Sequence, residues 1–539
     1  MSVNTQASAG VVPAVGGHPR RWTILGVLVV SLLVVVLDNT VLNVALRTIA
    51  DPVKGLGASQ SQLEWAINSY TLAFAGLLFT WGVLGDRIGR RRMLVAGMVA
   101  FGLASLASAY AHTPGQLIGA RALMGIGGAA VMPATLSIIS NVFDPRERGR
   151  AIGIWAGAVG LGVAIGPVVG GALLEHFWWG SVFLINVPIV IAGVIAIRAL
   201  VPESRDPKPG RLDLLGVVMS IVGLIGVVYG IIYGGDHSFG AFASWGSLLG
   251  GLAVLAAFVA WERRITYPSL DVKLFGNPRF SASVGSVALV FFAAMGTLFF
   301  STFYLQLVRG YSPLASGLLL TPFAVAQLVF APRSAAMVHR YGPRAVSATG
   351  LGLVAVAQAG FLLLGVDTPI WVLGVVFFVQ GVGMANVIPP ATESIIASLP
   401  REKAGVGSAI GNTVRQVAGA LGIAVLGSLL AGVYRNRIGD QLGTVPAGAA
   451  RAAAGDDISG TYAAAGQLAA HGQRAGAAHL VDAGNQAFVT AMHWAAGGAI
   501  LVALVGVAIV LAWLPGRTPA SPEPAAPETP GELLELAEA

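Results

Sequence analysis

Long apolar stretches alternate with short polar segments along almost the whole chain. Each stretch holds roughly 20 residues, the length that an α-helix needs to cross the hydrocarbon core of a bilayer. Because lipid cannot satisfy exposed backbone donors and acceptors, helices are the expected form of these stretches. The pattern predicts an all-α integral membrane protein with fourteen transmembrane helices, at 22–46, 62–84, 93–110, 116–139, 151–174, 180–198, 213–233, 243–261, 280–305, 315–338, 345–365, 370–395, 405–431 and 488–513.

Three short motifs occur twice with nearly the same displacement. The polar string Gly82 to Arg92 returns in altered form at Ala335 to Arg344, and Gly342 stands where Gly89 stood. The displacements of the three motifs are 253, 256 and 255 residues, which indicates an internal duplication. The other two pairs are Gly125-Ile126-Gly127 with Gly381-Val382-Gly383, and Pro145 to Arg148 with Pro400 to Lys403.

The displacement also explains the number of spans. Six spans end near Arg198 and the second copy begins near residue 277, which leaves room for two additional spans. We predict repeated bundles of the kind found in secondary transporters, arranged as six helices, two inserted helices and six more. The predicted segments are a cytoplasmic tail at 1–21, a bundle at 22–200, an inserted pair with its loops at 201–279, a second bundle at 280–513 with an extracytoplasmic loop at 433–487, and a disordered tail at 514–539.

The composition and charge support this membrane topology. Charged residues make up 11% of the 539 residues and hydrophobic residues 55%, whereas an ordinary soluble domain has about 25% charged residues. With the N-terminus inside, 22 of the 32 Lys and Arg residues fall in inner loops and tails and 7 in outer loops. This bias predicts a multi-pass protein of the cell membrane, in a bacterium the inner membrane, with both termini in the cytoplasm. The net charge of +7 follows from the topology and does not indicate a nucleic-acid partner.

Asp38 and Arg121 are charged residues deep within predicted spans. A carboxylate inside a membrane is costly, about 2.5 to 3.5 kcal/mol on insertion scales, so its presence indicates a function. Asp38 is therefore a candidate for taking up and releasing a proton or another cation. Two structural alternatives remain open, a cap at a helix break and a permanent ion pair with Arg121. Arg121 needs a partner or a water-filled face because its guanidinium cannot be neutralised.

Further polar residues within the spans are candidates for the wall of a substrate cavity. The three on the thirteenth span recur at helical spacing, and hydrogen bonding between helices is the alternative explanation. Glu393, near the inner end of the twelfth span, is explained equally well by contact with the membrane interface. The cavity candidates are Asn39, Asn43, Gln380, Asn386, Asn412, Arg415 and Gln416.

The loop between the second and third spans has the composition of a conformational latch. Gly82, Gly85 and Gly89 permit a close approach of helix ends. Asp86 lies among Arg87, Arg90 and two further arginines, from which it can accept charge-assisted hydrogen bonds. We predict a gating role for this loop; the alternative is that its arginines only enforce topology.

The fifth span carries small residues at intervals of four. Gly162, Gly166 and Gly170 form a smooth face for a neighbouring helix, and Pro167 with Gly171 permits a bend near the outer end. Helix packing is one consequence. We also predict that this segment helps to seal the transport pathway.

At these positions the sequence resembles the major facilitator superfamily, specifically its fourteen-helix drug:proton antiporters. The 82–92 string is similar to the signature loop of the superfamily, and Arg121 with Gly125 and Gly127 to its fourth-helix motif. The stretch 162–171 is similar to the antiporter motif, and Leu37 to Leu46 to the first-helix motif of the drug exporters.

The resemblance implies export of amphipathic small molecules in exchange for protons, with Asp38 as the coupling carboxylate and Arg121 as its neighbour. Some members use acids in the tenth or thirteenth helix to bind dicationic drugs. The corresponding spans 315–338 and 405–431 contain no Asp or Glu. This departure favours neutral, monocationic or anionic cargo.

Several alternatives and absences complete the prediction. An exporter dedicated to one metabolite, such as an antibiotic, lipid or amino acid made by the cell, is the rival within transporters, and a non-transporting membrane sensor or scaffold is the rival outside them. No enzyme is predicted, because the eight histidines lack metal-ligand spacing and no nucleophile–base pair is evident. The predicted energy source is the proton gradient, with no cofactor and no metal. The predicted partners are the cargo, protons and membrane lipid, with a monomer as the simplest assembly.

Overall fold

The computed structural model describes residues 18–205, 213–237, 239–265, 270, 272–397, 404–445 and 449–516, and they form a helical protein. Most of both predicted tails, and the 400–403 copy of the third motif, lie outside these residues. The helices are α1 (Arg21–Ala50), α2 (Gln60–Ile88), α3 (Arg90–Ala109), α4 (Pro114–Val142), α5 (Pro145–His176), α6 (Ser181–Leu184), α7 (Asn186–Leu200), α8 (Leu214–Asp236), α9 (Phe242–Glu262), α10 (Pro278–Phe303), α11 (Pro313–Leu319), α12 (Thr321–Tyr341), α13 (Pro343–Phe361), α14 (Ile370–Ala397), α15 (Ala404–Ile438), α16 (Ala449–Asp456), α17 (Ile458–Ala470) and α18 (Arg474–Trp513).

Within the described residues, eleven helical segments are long and apolar enough to cross a membrane. The helix α2, which is bent by 53°, brings this number to twelve. The predicted windows 151–174 and 345–365 coincide with α5 and α13, which lie outside this group. The chain is therefore a multi-pass membrane protein, and the count of fourteen crossings stays a prediction.

The two halves of the chain repeat one packing arrangement. In the first half, α2 and α3 pack against α4, and α1 packs against α5 and α7. In the second half, α12 and α13 pack against α14, and α10 packs against α15 and α18. This agreement matches the duplication inferred from the repeated motifs.

The inserted helices α8 and α9 form a hairpin that covers one junction of the two halves. The hairpin is tight because glycines meet, and a Cβ atom on Gly226 would lie 3.0 Å from the Cα of Gly251. Besides its hairpin partner α9, α8 packs against α2 and α15. On α15, Ser428 Oγ donates a hydrogen bond to the carbonyl oxygen of Ile231 at 3.1 Å.

The described part of the segment between α15 and α18 contains more helix than its composition indicates. Both flanking helices extend into it, to Ile438 and from Arg474, and α16 and α17 lie between them. Asp457 caps α17, because its Oδ1 accepts from the Gly460 amide at 2.7 Å. Its Oδ2 accepts from the Gln60 amide at the start of α2 at 3.1 Å. This segment is therefore fastened to the predicted extracytoplasmic end of the first bundle.

Candidate functional site

Asp38 on α1 and Arg121 on α4 form a buried ion pair inside the first bundle. Their exposed fractions are 2% and 0%. Arg121 Nη1 donates to Asp38 Oδ2, and Asp38 Oδ1 accepts from Asn186 Nδ2 on α7 at 3.0 Å. Pairing and further hydrogen bonds offset the cost of removing two charges from water. The carboxylate thus joins α1 to both α4 and α7.

The guanidinium of Arg121 also contacts α2. Its Nε donates to the carbonyl oxygen of Ala66 at 3.2 Å, and its central carbon lies 4.3 Å from the centre of the Tyr70 ring. Nη2 is buried and has no hydrogen-bond partner among the described residues. Because a guanidinium keeps its charge, any loss of the Asp38 charge leaves an uncompensated cation where α1, α2 and α4 meet.

Asn186, Ser105 and Tyr70 belong to this network, although none of them is among the residues predicted from the sequence. Asn186 Nδ2 donates to Ser105 Oγ at 3.1 Å, and Ser105 Oγ donates to the carbonyl oxygen of Phe183 at 2.8 Å. Asn186 is an amide within the apolar window 180–198. That isolated polar position is the signal that could have identified it.

No copy of this ion pair occurs among the described residues of the second half. At the displacement of the fourth-helix motif, the buried Phe377 on α14 stands where Arg121 stands on α4. The counterpart of α1, helix α10, contains neither Asp nor Glu. The two halves therefore share a fold but differ in charge.

Three glycines of α5 lie against the part of α1 that carries Asp38. A Cβ atom at Gly166 would lie 1.9 Å from Thr40 Oγ1. Cβ atoms at Gly162 and Gly170 would lie within 2.9 Å of valine side chains on α1. Real Cβ atoms do not approach so closely, so the small residues are required for this helix contact.

The same helix contacts the second bundle through Pro167 and Gly171. A Cβ atom at Gly171 would lie 2.5 Å from the Cα of Leu314. Conversely, a Cβ atom at Gly317 would lie 2.3 Å from the carbonyl oxygen of Pro167. The backbones of α5 and α11 therefore meet directly, at the predicted extracytoplasmic side.

Two side-chain amides join the bundles on that same side. Gln60 Nε2 on α2 donates to the carbonyl oxygen of Gly427 on α15 at 2.9 Å. Gln306, in the π-helical turn Tyr304–Val308 that follows α10, donates through Nε2 to the carbonyl oxygen of Val44 at 2.9 Å. With the α5–α11 contact, these bonds hold the two bundles together at the predicted outer ends of their helices.

The turn between α2 and α3 uses its glycines unequally. Gly89 has a φ of 122°, and a Cβ atom there would lie 2.6 Å from Glu203 Oε1. Gly82 and Gly85 would meet only ordinary contacts, of 3.7 and 3.5 Å. Of these three glycines, Gly89 alone lies so close to a neighbouring side chain that a Cβ atom would overlap with it. Gly342, its copy between α12 and α13, also has a positive φ, of 82°.

Charged groups tie this turn to the segment that follows α7. Asp86 Oδ1 accepts from Arg90 Nε at 2.9 Å, one helical turn away; Arg87 lies in the last turn of α2. Glu203 Oε1 accepts from the Arg91 amide at 3.1 Å, a contact that was not predicted from the sequence. The proposed latch therefore includes the connection toward the inserted hairpin.

The seven cavity candidates lie in separate groups. On α1, Asn43 Nδ2 donates to the carbonyl oxygen of Asn39 at 3.1 Å. On α14, Gln380 and Asn386 are buried, and Asn386 Nδ2 donates to the carbonyl oxygen of Val382 at 2.9 Å. On α15, Asn412, Arg415 and Gln416 are half-buried. Glu393 on α14 is exposed.

Comparisons with known proteins identify the family. The model of the Major Facilitator Superfamily matches residues 28–423. The chain is 36% identical over 494 residues to the multidrug efflux pump LfrA of Mycolicibacterium smegmatis. This alignment covers 91% of this chain and 96% of that protein. It is 34% identical to the tetracenomycin C resistance and export protein of Streptomyces glaucescens, over 79% of this chain and 78% of that protein.

A solved structure has the same fold. The inward-facing, unoccupied bacterial homologue of the human lysosomal transporter Spinster matches with a TM-score of 0.63. The match covers 94% of this chain and all of that protein, at 17% sequence identity. The repeated bundles, the family model and these relatives agree. The chain belongs to the Major Facilitator Superfamily, and it is a membrane transporter and not an enzyme.

Proposed function

We propose that this protein exports amphipathic, drug-like small molecules from the cell in exchange for protons. The relatives named as a multidrug efflux pump and as an antibiotic export protein support the direction and the class of cargo. The observation that carries the proton exchange is the buried Asp38 carboxylate, held by Arg121 and Asn186. The proposal includes fourteen membrane crossings with both chain ends in the cytoplasm.

In the proposed cycle, the protein binds cargo when Asp38 is deprotonated and releases cargo when Asp38 is protonated. Protonation from outside removes the charge that Arg121 neutralises and so loosens the tie between α1 and α4. Cargo is released in that state. Loss of the proton to the cytoplasm restores the ion pair and the affinity for new cargo.

The contacts of α5 support a route from Asp38 to the junction of the bundles. One face of α5 lies against α1 beside Asp38, and its outer end meets the backbone of α11. A movement of α1 therefore changes the support of the interbundle contact. We propose alternating access, in which the bundles rock about this junction and the described state is closed at the predicted outer side.

The driving force is adequate for such export. One proton entering down 100 mV releases about 2.3 kcal/mol, and each pH unit adds about 1.4 kcal/mol. The total of about 3 to 4 kcal/mol per proton supports a cargo gradient of roughly two to three decades. The exchange needs no nucleotide, cofactor or metal.

A dedicated exporter of one metabolite is the second candidate function. It is favoured by the likeness to the tetracenomycin C export protein, whose name assigns it one compound. A broad exporter should extrude several unrelated dyes, whereas a dedicated exporter should leave most of them in the cell.

The test is accumulation of dyes and antibiotics in an efflux-deficient bacterial host. We compare the parent with Asp38→Asn, which keeps the side-chain shape but cannot exchange a proton. Asp51→Asn is the matched control, because Asp51 follows α1 directly and its side-chain Oδ1 accepts from the nearby amides of Val53 and Lys54. Proteoliposomes containing a pH-sensitive dye report the accompanying proton flux.

We expect the parent and Asp51→Asn to lower dye accumulation, and Asp38→Asn to lose both uphill export and proton flux. The coupling role of Asp38 is wrong if Asp38→Asn vesicles expel cargo uphill at the parental rate. If the parent moves neither cargo nor protons, the chain is not an exporter of these compounds, and the sensor or scaffold becomes the better explanation.

A further inference from the structure

Arg415 places a second positive charge within the membrane part of the protein, in the second bundle. It lies on α15 and faces α14 and α10. Nη2 donates to Thr392 Oγ1 on α14 at 3.1 Å, and Nη1 donates to Asn412 Oδ1 at 3.1 Å. The central carbon lies 5.8 Å from the centre of the Phe291 ring on α10.

All these contacts are electrically neutral. In the part of the chain that the structure describes, no carboxylate lies within ion-pair distance of Arg415. The sequences of α10, α12, α13 and α15 contain no Asp or Glu, and α14 contains only the exposed Glu393. Among the described residues, Arg415 is therefore a cation without a matching anion on these five helices.

The guanidinium also has unused hydrogen-bonding capacity. Its Nε is buried and has no partner among the described residues. Together, Nε and an Nη form the fork that binds a carboxylate or a similar anion with two parallel bonds. The charge and the free donor both indicate an anionic ligand.

Comparison with the other arginines in predicted spans sharpens this interpretation. Arg121 is fully buried and paired with Asp38. Arg333 is exposed and donates to the carbonyl oxygen of Val329 on its own helix. Arg415 is half-buried, and no carboxylate of the described residues pairs with it. A charged residue in this setting is costly and indicates a pathway or binding role.

We propose that Arg415 binds an acidic group of the cargo, a carboxylate or deprotonated phenol attached to an aromatic body that packs on Phe291. This inference rests on the proposed export function and narrows its cargo to anionic amphipathic compounds. The absence of acids from α12 and α15 agrees with it, because those helices offer nothing to attract a cation.

The charge of the cargo has a consequence for energetics. An anion leaving the cell and a proton entering it both move in the direction that an inside-negative membrane potential favours. Each exchange of one for one therefore moves two charges. Export of an acidic compound should depend more steeply on membrane potential than export of its neutral ester.

The test measures binding and not transport, so that it can succeed or fail separately from the proposed function. The probes are pyrenebutyrate and its methyl ester, which share one aromatic body and differ in one negative charge. Energy transfer from protein tryptophans to pyrene gives the affinity in nanodiscs of phosphatidylcholine, and protein-free nanodiscs correct for partition into lipid. The proteins are the parent, Arg415→Gln and Arg415→Lys, with Arg333→Gln as the matched change of charge in the same bundle.

We expect the parent to bind the acid about 10- to 100-fold more tightly than the ester, as for a hydrogen-bonded ion pair. Arg415→Gln should bring this ratio to about 1 and leave the affinity for the ester within about twofold, while Arg333→Gln keeps the parental ratio. Arg415→Lys should retain part of the preference, because lysine keeps the charge without the fork.

Three results would overturn the inference. They are a parent that does not prefer the acid, an Arg415→Gln ratio equal to that of the parent, and an equal loss of affinity for both probes, which would assign Arg415 a purely structural role. A fourth result, suppression of acid binding when phosphatidylglycerol is added, would identify a lipid headgroup as the anion and would also contradict the assignment to cargo. Failure of the proposed function is distinguishable, because in that case the acid binds but is not expelled under a proton gradient.

Discussion

The ion pair of Asp38 and Arg121 allows the structural role of the charges to be separated from their role in transport. The perturbation is a set of three variants, Asp38→Asn, Arg121→Gln and the double variant. In Asp38→Asn the single amide oxygen can accept from Arg121 or from Asn186 but not from both, so the variant loses the charge and one of the two accepted hydrogen bonds. The double variant removes both charges and keeps polar side chains of similar size.

The expected magnitudes follow from burial. Two charges about 4 Å apart interact by about 4 kcal/mol at an effective dielectric constant of 20. Breaking a buried pair at one partner typically costs about 3 to 5 kcal/mol, because an unpaired charge remains. Arg121 is fully buried, so Asp38→Asn should lose about this much stability. The double variant should recover most of this loss, because neither buried charge is left without its partner.

The assay is a double-mutant cycle on the apparent free energy of unfolding. Purified variants in dodecylmaltoside are titrated with SDS, and the loss of helix is followed by circular dichroism. The coupling energy should be at least about 3 kcal/mol. Proton-driven dye export is measured on the same samples after reconstitution. We expect stability to return in the double variant and export to remain absent.

The reasoning is refuted if Asp38→Asn is as stable as the parent and the coupling energy is close to zero. That result would mean that Asp38 carries no charge in this state. Recovery of export in the double variant would contradict the coupling role in a different way, because it would show that the pair matters only for folding.

Two further predictions concern the predicted extracytoplasmic side. Gly171→Ala should hold α5 away from α11, since the new Cβ atom would lie 2.5 Å from a backbone atom; export and disulfide cross-linking between Gln60→Cys and Gly427→Cys should both fall severalfold. Burial raises the pKa of Asp457 from 3.8 to about 6, although the backbone amides that it accepts from lower it. The folded state therefore binds this proton more tightly than the unfolded state does. Docking of 458–470 should be strongest below pH 3.8 and should weaken by about 3 kcal/mol as the pH rises through 6. Hydrogen-exchange protection factors of this helix measure the change.

These predictions have direct controls. Gly157→Ala is the control for Gly171→Ala, because a Cβ atom at Gly157 would meet nothing within 4 Å. The chain has no native cysteine, so cross-linking reports only the introduced pair. Unchanged cross-linking in Gly171→Ala would contradict the contact. For the docking of 458–470, Asp457→Asn should remove the pH dependence. Hydrogen-exchange protection that does not change with pH in the parent would show that Asp457 does not control docking.

The sequence identified the Asp38–Arg121 centre but only part of its surroundings. Two charged residues in apolar windows are visible without a structure, because their cost in lipid marks them. Ser105 and Tyr70 carry no charge and do not stand out in the sequence, and Asn186 is marked only as an isolated amide in an apolar window. Their contribution depends on α7 and α2 lying beside α1 and α4, which no local pattern encodes.

The sequence by itself determined the helical membrane class, the duplication and the places where small residues permit close packing. The physical reason is that lipid forces every spanning segment to satisfy its own backbone, so apolar length and period are read directly from the chain. Only the tertiary structure decided which charges find partners: Arg121 meets Asp38, whereas the described contacts of Arg415 are with neutral groups. It also decided that Gly171 faces the other bundle and that Asp457 accepts a hydrogen bond from the Gln60 amide. Such pairings join residues far apart in the chain, and they follow from the packing of whole helices.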